Sequence, residues 1–526
     1  MTDPIVQNKS CLHCEKSFDI TQWDLDFYTK ISPTFAWQKF QIPTPTLCPD
    51  CRQRRRLSFR NERTLYKRIC DASGKQIISI YSPDKPYKVY DQKIRWSDGW
   101  DPMSYGRDFD FSKIFTEQFG ELMREVPRMS LNVIQNEQSE YISFAWYNKN
   151  CYLIYTADQN ENCLYSSYII SNKNCIDCLH TNNSQFCYNV IHGNESYNCF
   201  YCINIKSCNY CMFTANMTWS SHCFLSYWQT NVSYCFKNKI YNKEEYQQIV
   251  KEYVEKYSYQ EIECMRKQMI NDYYDTKYTI INCEDSVGKY IVDSRFCQMC
   301  ENCTQSEYLK YCSFTYKMKN SMDWDFYWDN AELWYDCVNT ANNCYKVIST
   351  MNCWWSSSNL LYCDLCMYCQ DCFWCVGLRN KSYCIFNKQY SKEDYEIQVA
   401  KIITHMQSTG EWWEFFHPSL SPFGYNETVA QEYFPIQKWQ LEHYGYHRSN
   451  YQAPIPQADY IIEWSELPTD ISLVSDDILQ KSIRCEVTGK LFRLQKMELE
   501  FYRKHNIPLP RRHPDQRYLE RLALRK

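Results

Sequence analysis

Two cysteine pairs near the N-terminus have the spacing of a metal site. Cys11 and Cys14 form one C-x2-C pair, Cys48 and Cys51 form a second, and 33 residues separate the two pairs. Two such pairs supply four thiolates, which suits tetrahedral Zn²⁺, and each tight turn presents two ligands. We therefore expect one structural zinc site, with two unrelated thiol pairs as the alternative.

A run of arginines follows directly after the second cysteine pair and is expected to form a helix. At helical spacing the side chains share one broad face, which could bind the phosphates of a nucleic acid. The candidates are Arg52, Arg55, Arg56, Arg60 and Arg63. A solvated helix face is the alternative.

Five cysteines later in the chain follow one another at x2 spacing and form a second candidate metal site. They are Cys363, Cys366, Cys369, Cys372 and Cys375. Iron–sulfur proteins use C-x2-C-x2-C runs, so a metal cluster is one hypothesis. Packed free thiols are the favoured alternative, because this spacing also follows from the repeat described next, and a cytosolic setting disfavours disulfides.

Eight cysteines recur every twelve residues without a slip, which predicts a repeat architecture. They are Cys151, Cys163, Cys175, Cys187, Cys199, Cys211, Cys223 and Cys235, and Cys178, Cys202 and Cys208 share their three-residue phase. Twelve extended residues span about 40 Å, so a coil of this length has a thin interior that admits only small side chains. We expect a mostly β chain whose cysteines stack inside a narrow solenoid.

The residue after each repeating cysteine is apolar or aromatic and would form a ladder on one side of the solenoid. These residues are Tyr152, Leu164, Ile176, Tyr188, Phe200, Met212, Phe224 and Phe236. A bare ladder would be a large apolar patch. We expect this chain to cover it, with a protein-binding groove as the alternative.

The repeat block is duplicated, and each copy runs into a predicted capping helix. Residues 233–250 match 382–399, and Asn242 and Ser391 stand where helix N-caps are expected. Cysteines near 325–355 leave the phase, which suggests an insertion there. A further amphipathic helix over 111–126 is expected to cap the start of the first solenoid.

The C-terminus carries a degenerate copy of the N-terminal module. Residues 11–30 align with 485–504, where Cys11 meets Cys485 and Phe27 meets Phe501. Thr488, His513 and Gln516 replace the other three cysteines, so this copy is expected to lack zinc. It keeps five arginines that are further candidates for nucleic-acid binding: Arg511, Arg512, Arg517, Arg521 and Arg525.

Three resemblances follow from these motifs. The first cysteine pairs, with Phe18 and the Leu47-Cys48-Pro-Asp-Cys51-Arg52 stretch, resemble the treble-clef zinc-ribbon family of small bacterial proteins. The wider chain resembles uncharacterised Cys-rich proteins of candidate-phyla bacteria, a likeness that implies no activity. The repeat resembles the twelve-residue β-solenoid of beetle antifreeze proteins in fold alone, because a flat Thr-x-Thr face is absent.

Composition and motif content give no sign of common enzyme classes, and the charge distribution indicates an anionic partner. The 526 residues include 32 Cys, 46 Tyr and only 11 Gly, and no P-loop, dinucleotide-binding, HExxH or GxSxG motif occurs. No apolar stretch or leader indicates a membrane span or secretion, so we expect a cytoplasmic protein. Residues 1–69 carry a net +5, residues 481–526 a net +8, and the rest −17. Basic ends of this kind indicate an anionic partner.

The predicted organisation is a set of β-solenoids flanked by zinc-ribbon-like modules. The segments are a zinc-ribbon module (1–69), a degenerate zinc-ribbon-like segment with a helix (70–135), a first solenoid (136–241), a helical cap and linker (242–282), a second solenoid (283–390), a cap and Pro/aromatic-rich linker (391–480) and the degenerate module (481–526).

The sequence predicts a non-enzymatic zinc scaffold. Its basic modules would engage RNA or a ribonucleoprotein, while the acidic solenoids act as spacers or bind protein. A thiol-rich metal store or redox buffer and a structural assembly protein are the alternatives. No small-molecule substrate is indicated.

Overall fold

The computed structural model describes residues 3–273, 280–326, 330–454 and 458–525. The chain forms two compact units, each made of two separate stretches of sequence. The first unit comprises Met1–Ser130 with Lys277–Tyr451, and the second comprises Leu131–Thr276 with Gln452–Lys526. The structure is mostly β, with about 20 turns of β-solenoid, as predicted. In the described residues, no helix is long and apolar enough to cross a bilayer.

Helices cap the solenoids and complete the terminal modules. They are α1 (Gln22–Ile31), α2 (Pro49–Leu57), α3 (Gln92–Trp96), α4 (Phe115–Glu125), α5 (Lys243–Lys256), α6 (Tyr259–Tyr273), α7 (Lys392–Thr409), α8 (Val429–Tyr433), α9 (Lys438–His443), α10 (Lys496–His505) and α11 (Pro514–Ala523). Short strands outside the solenoids are Ile5–Ser10, Ser17–Thr21, Thr34–Phe35, Gln38–Lys39, Tyr66–Ile69, Gln76–Ser79, Val89–Tyr90, Arg128–Met129, Ile461–Glu463, Ser482–Arg484 and Leu491–Phe492.

The first solenoid repeats every twelve residues, as the cysteines predict. Parallel strands pair in that register, for example Tyr155 with Ser167. All of the repeating cysteines are buried. The strands are Val133–Ile134, Ser143–Trp146, Tyr155–Asp158, Ser167–Ile170, Leu179–Asn182, Ile191–Asn194, Ile203–Lys206, Ala215–Thr218, Ser221–Phe224, Tyr227–Thr230, Ser233–Phe236 and Lys239–Ile240.

Each coil is built from four three-residue segments. In one coil the backbone turns left-handed at Asn150, Leu153, Thr156 and Gln159, with φ between 50° and 56°. The same turn recurs every third residue, so each inward residue is followed by one wall residue and one corner residue. Left-handed backbone costs a non-glycine residue about 1–2 kcal/mol. Asn tolerates it best among such residues, which explains the Asn-Cys pairs at positions such as 162–163.

The second solenoid changes its period in the middle rather than accepting an insertion. Tyr335 pairs with Met322 and Ile348, thirteen residues away on each side, whereas the later pair Ser358 and Gln370 is twelve apart. The strands are Ile280–Ile281, Val287–Lys289, Ile291–Val292, Arg295–Thr304, Glu307–Tyr316, Met318–Asp325, Ala331–Val338, Tyr345–Ile348, Ser358–Leu361, Gln370–Phe373, Ser382–Ile385 and Lys388–Gln389.

The insertion predicted near 325–355 is therefore wrong. The cysteines that leave the twelve-residue phase there, Cys337, Cys344 and Cys353, are buried among the other core cysteines. Because each coil there has thirteen residues, these cysteines leave the twelve-residue sequence phase but still point into the solenoid core.

Both solenoids end in the same way, as predicted. The last coil turns back through a short antiparallel strand, in which Cys235 pairs with Ile240 and Cys384 pairs with Gln389. Helices α5 and α7 follow. The side chains of Asn242 and Ser391 accept the backbone N–H of the third residue after them, which confirms both N-caps.

Helix α4 packs on the second solenoid, so its predicted role as a cap of the first is wrong. The ring of Phe115 stacks on Trp374, with centroids 3.8 Å apart. The apolar face of α4 packs against aromatic residues of the second solenoid, which lie far from it in sequence.

The apolar ladder of the first solenoid is covered within its own unit. Leu164, Ile176, Tyr188 and Phe200 pack against the C-terminal module, and Phe224 and Phe236 pack against α5 and α6. This confirms the expectation that the chain covers the ladder and leaves little of it for a protein partner.

Candidate metal centre

The four N-terminal cysteines are held by two local structures. Cys11 lies on a tight turn between the strands Ile5–Ser10 and Ser17–Thr21, where its N–H donates to the carbonyl of Lys16 (3.0 Å). Cys48 is the N-cap residue of α2, and Cys51 lies in the first turn of that helix. Pro49 begins the helix, where its missing N–H is no loss.

These two structures bring all four sulfurs together. Every pair of sulfurs lies within 4.8 Å, and the sulfurs of Cys14 and Cys48 are 3.6 Å apart. A tetrahedral metal with bonds of about 2.3 Å would separate its sulfurs by about 3.8 Å. The cysteines therefore fit one metal ion. Four thiolates in this geometry suit zinc or iron.

Interactions within the cluster shift its thiols in opposite directions: the hydrogen bond to Cys48 raises the pKa of Cys51, and burial raises that of Cys14. A hydrogen bond from Cys51 is the main cause that lowers the pKa of Cys48 to about 5. The guanidinium of Arg54 donates to the sulfur of Cys51 (3.3 Å) and lies over the ring of Tyr444 (4.1 Å). Burial, followed by the charge of Arg54, lowers the pKa of His13 to about 4, so its imidazole is neutral at pH 7.

Three arginines of α2 point into the second solenoid: Arg52, Arg55 and Arg56. Nε of Arg52 lies 2.8 Å from a carboxylate oxygen of Asp323, and Nε of Arg56 lies 2.7 Å from Asp325. Arg56 also reaches Asp336 (3.1 Å). The side chains of these three ion pairs are at most 2% exposed. The helix therefore places its charge in a buried acidic cluster.

Arg55 and Arg60 are buried and hydrogen-bonded as well. Arg55 is bonded to Asp336 (3.2 Å) and to Glu414 (2.7 Å). Arg60 is bonded to Glu62 and Asn339 and lies over the ring of Phe326 (4.3 Å). Arg63 is half-buried.

The C-terminal module also buries arginines against carboxylates of a solenoid and of its own helix α10. Arg517 pairs with Asp177 and Glu498, and Arg521 lies 2.9 Å from Asp177. Arg525 is buried as well, whereas Arg511 and Arg512 are half-buried. Arg512 is bonded to Glu486 and Glu520.

The prediction of an open face of arginines is therefore wrong. The structure buries seven of the ten candidates: Arg52, Arg55, Arg56, Arg60, Arg517, Arg521 and Arg525. For five of them, Arg52, Arg55, Arg56, Arg517 and Arg521, the physical reason is that solenoid carboxylates distant in sequence neutralise them. Nucleic-acid binding itself stays a prediction.

The five cysteines at x2 spacing do not come together as a metal site. Cys363, Cys366, Cys369, Cys372 and Cys375 are buried, and each thiol donates to a backbone carbonyl two residues before it. In the described part of the chain, only the four N-terminal cysteines gather three or more ligand atoms within 4.8 Å. None of the 32 cysteines takes part in a disulfide.

The acidic partners of the arginines were missed at the sequence level. Asp177, Asp323 and Asp336 occupy left-handed corners of the coils, with φ between 51° and 57°. An Asp at a corner phase is visible in the repeat, but the sequence gives no sign that a distant helix covers that corner.

Comparison with known proteins adds no family. No protein-family model matches the chain, and no curated protein is similar to it. One solved structure, described as a "putative acetyltransferase from Desulfovibrio desulfuricans G20", shows 8% identity and a TM-score of 0.10. The match covers 49% of this chain and 70% of that one. A TM-score this low carries no weight for fold or activity.

Proposed function

We propose that the protein is a non-enzymatic scaffold in which one zinc ion fixes a basic helix against a β-solenoid. One observation carries this proposal. Cys48 and Cys51 begin the same helix whose Arg52 and Arg56 enter the acidic cluster of the second solenoid. A metal bound there would set the position and direction of that helix.

The donor set supports a structural rather than a catalytic metal. Four cysteine ligands complete a tetrahedron and leave no position for water or substrate, as in structural zinc sites. Three of the four cysteines are buried and Cys14 is half-buried. The metal would stabilise the fold, since such a site does not exist in the unfolded chain.

The net charge of the two ends is what supports an anionic partner. An RNA or ribonucleoprotein partner rests on the basic ends of the chain, most of whose candidate arginines are buried. A thiol-rich metal store would need further sulfur clusters, and the core thiols are engaged with backbone carbonyls. The scaffold function therefore does not depend on either.

Elemental analysis of the purified full-length protein tests the proposal. We expect one zinc per chain from the single four-cysteine cluster. The variant Cys14→Ser/Cys51→Ser should lose it. Cys264→Ser is the matched control, because Cys264 is exposed and outside the cluster; it should keep the metal.

Other results of the elemental analysis would contradict the proposal or favour an alternative function. Iron in place of zinc, or metal that survives in Cys14→Ser/Cys51→Ser, would contradict the proposal. Several metals per chain would favour the metal store instead. Phosphorus in excess of the sulfur-based protein amount would show bound nucleic acid and support an RNA partner.

A further inference from the structure

The turn that carries Cys11 occurs three times in the chain with the same backbone hydrogen bonds. In each copy the cysteine N–H donates to the carbonyl five residues later, and the N–H four residues later donates back to the cysteine carbonyl. The cysteines are Cys11, Cys70 and Cys485, and these six hydrogen bonds are 2.8–3.0 Å long.

The fifth residue of each turn is left-handed, which strengthens the match. Glu15, Gly74 and Gly489 have φ of 61°, 69° and 68°. The segment after Cys70, which the sequence suggests only as a remnant, is therefore a third copy of the knuckle module.

In the two copies without a four-cysteine cluster, the remaining cysteine accepts hydrogen bonds from the backbone. The backbone N–H of Asp91, the N-cap of α3, donates to the sulfur of Cys70 (3.2 Å). In the C-terminal copy the backbone N–H of Thr488 donates to the sulfur of Cys485 (3.5 Å), and the backbone of His513, the N-cap of α11, helps to lower the pKa of that thiol despite its burial. Hydrogen bonds to the remaining cysteine thus occur where the other metal ligands are missing.

What all three copies share is a buried arginine four residues after the helix N-cap. The N-caps are Cys48, Asp91 and His513, and the arginines are Arg52, Arg95 and Arg517. Each arginine is at most 7% exposed.

Each of these arginines reaches a left-handed corner of a coil. Arg52 bonds Asp323 (2.8 Å), Arg517 bonds Asp177, and Arg95 donates to the carbonyl of Gly377 (3.3 Å). The three corner residues have φ of 56°, 57° and 74°. The arginine therefore meets the same feature of the coil in every copy.

An aromatic contact repeats in the same register. The ring of Tyr28 meets Tyr335 edge-on at 5.5 Å, and the ring of Tyr502 meets Tyr188 edge-on at 5.5 Å. Tyr335 pairs with Met322, the residue before the corner Asp323, on the preceding coil. Tyr188 pairs in the same way with Ile176, the residue before the corner Asp177. Two independent contacts thus place the first and third modules on their solenoids alike.

We propose that the three knuckle modules are copies of one docking element that grips the wall of a β-solenoid through the arginine four residues after the helix N-cap. Its partner is a coil that offers an acceptor at a left-handed corner, with an aromatic ring on the next coil. This inference deepens the proposed scaffold function, but it does not depend on the metal, because only one copy has the four cysteines.

The second module is the incomplete copy. Gly377 offers a carbonyl oxygen but no carboxylate, and Nη1 of Arg95 has no hydrogen-bond partner among the described residues. Burial, with the nearby charge of Arg379, lowers the pKa of Arg95 to about 9. Loss of this arginine should therefore loosen its contact least.

Hydrogen exchange of the full-length protein, followed by mass spectrometry, tests the inference. Arg517→Met should speed exchange at least tenfold in α11 and the strand Leu179–Asn182. Arg52→Met should do so in α2 and the strand Met318–Asp325, and Arg95→Met should have a smaller effect. Arg512→Met is the control, because Arg512 is half-exposed and its ion pairs with Glu486 and Glu520 lie within its own module.

Milder variants guard against misfolding. Asp177→Asn and Asp323→Asn remove the carboxylates but keep residues that tolerate the left-handed corner; each should loosen the same segments as its arginine variant. Effects no larger than those of Arg512→Met, or faster exchange spread evenly over both units, would overturn the inference. Zinc content should stay at the wild-type level in Arg517→Met, which separates this test from that of the metal scaffold.

Discussion

The inward cysteines of the coils serve as hydrogen-bonding groups for backbone that faces the core. The thiol of Cys163 donates to the carbonyls of Glu161 (3.4 Å) and Asn172 (3.6 Å). The N–H of Cys163 donates in turn to the sulfur of Cys151 (3.4 Å). Buried backbone groups need such partners, and the thin interior excludes larger side chains. Ser and Asn play the same part, as where Cys178 donates its N–H to Ser166 (2.9 Å).

Hydrogen bonds from Cys151 and Cys175 lower the pKa of Cys163 despite its burial, whereas in other core thiols burial dominates. Burial is the main cause that raises the pKa of Cys175 and Cys199 well above the usual value for a thiol. A neutral S–H can donate, whereas a thiolate could not. The x2 spacing itself follows from the inward position, which recurs every third residue between left-handed corners.

We expect Cys163→Ser to cost less stability than Cys163→Val, although valine is the more apolar side chain. Serine keeps a donor and an acceptor, whereas valine leaves buried backbone groups without partners, at about 1–3 kcal/mol. Urea unfolding measures the difference. Ile154→Val is the control for a change of volume alone, at about 1 kcal/mol. A valine variant as stable as the serine variant would contradict this account of the thiols.

At the scale of elements, each solenoid is closed by a reversed strand and an N-capped helix. The antiparallel strand Lys388–Gln389 covers the last coil, and α7 follows immediately. An open strand edge could pair with another molecule, so this ending protects against aggregation. The duplication of both features makes it a property of the fold rather than of one site.

Ser391→Ala should destabilise the second solenoid's end by about 1 kcal/mol, because it removes the side chain that accepts the N–H of Asp394. Thermal unfolding and hydrogen exchange of α7 measure this effect. Ser408→Ala, in the last turn of the same helix, is the control and should leave both unchanged. Equal effects of the two substitutions would show that the cap does not stabilise the helix.

Periodic features of the fold could be predicted from the sequence, and contacts between distant segments could not. A twelve-residue cysteine period, the two N-caps and the four metal ligands follow from local spacing. The docking of Arg56 on Asp325 and Asp336 does not, because nothing local marks an arginine that a carboxylate 269 or 280 residues away will bury. The thirteen-residue coils were missed for a related reason: one added residue per coil looks like an insertion until the strands are paired.

At the scale of the molecule, each terminal module joins the solenoid that is farther from it in sequence. The N-terminal module docks on the second solenoid and the C-terminal module on the first, and the two units follow this division. The buried Arg–Asp pairs make these contacts selective, since an unpaired buried charge costs about 3–5 kcal/mol. The basic ends and the acidic middle of the chain therefore complement each other within the molecule.

Metal removal should act on one unit and spare the other. The four cysteines lie in the first unit, whereas the C-terminal module of the second keeps only Cys485 of the corresponding cysteines. After chelation, or in Cys14→Ser/Cys51→Ser, we expect faster hydrogen exchange in the segment 5–57 and in the coils of Asp323 and Asp336. The coils of Cys151 to Cys235 and the helix α11 should keep their protection.

The second unit serves as the internal control for this experiment. It contains the same type of module, the same Tyr–Tyr contact and the same Arg–Asp contact, but no four-cysteine cluster. Equal loosening of α11 and α2 would mean that the chelator denatures the protein generally. If α2 keeps its protection without metal, the arginines alone hold the helix on the solenoid, and the metal serves only the turn that carries Cys11 and Cys14.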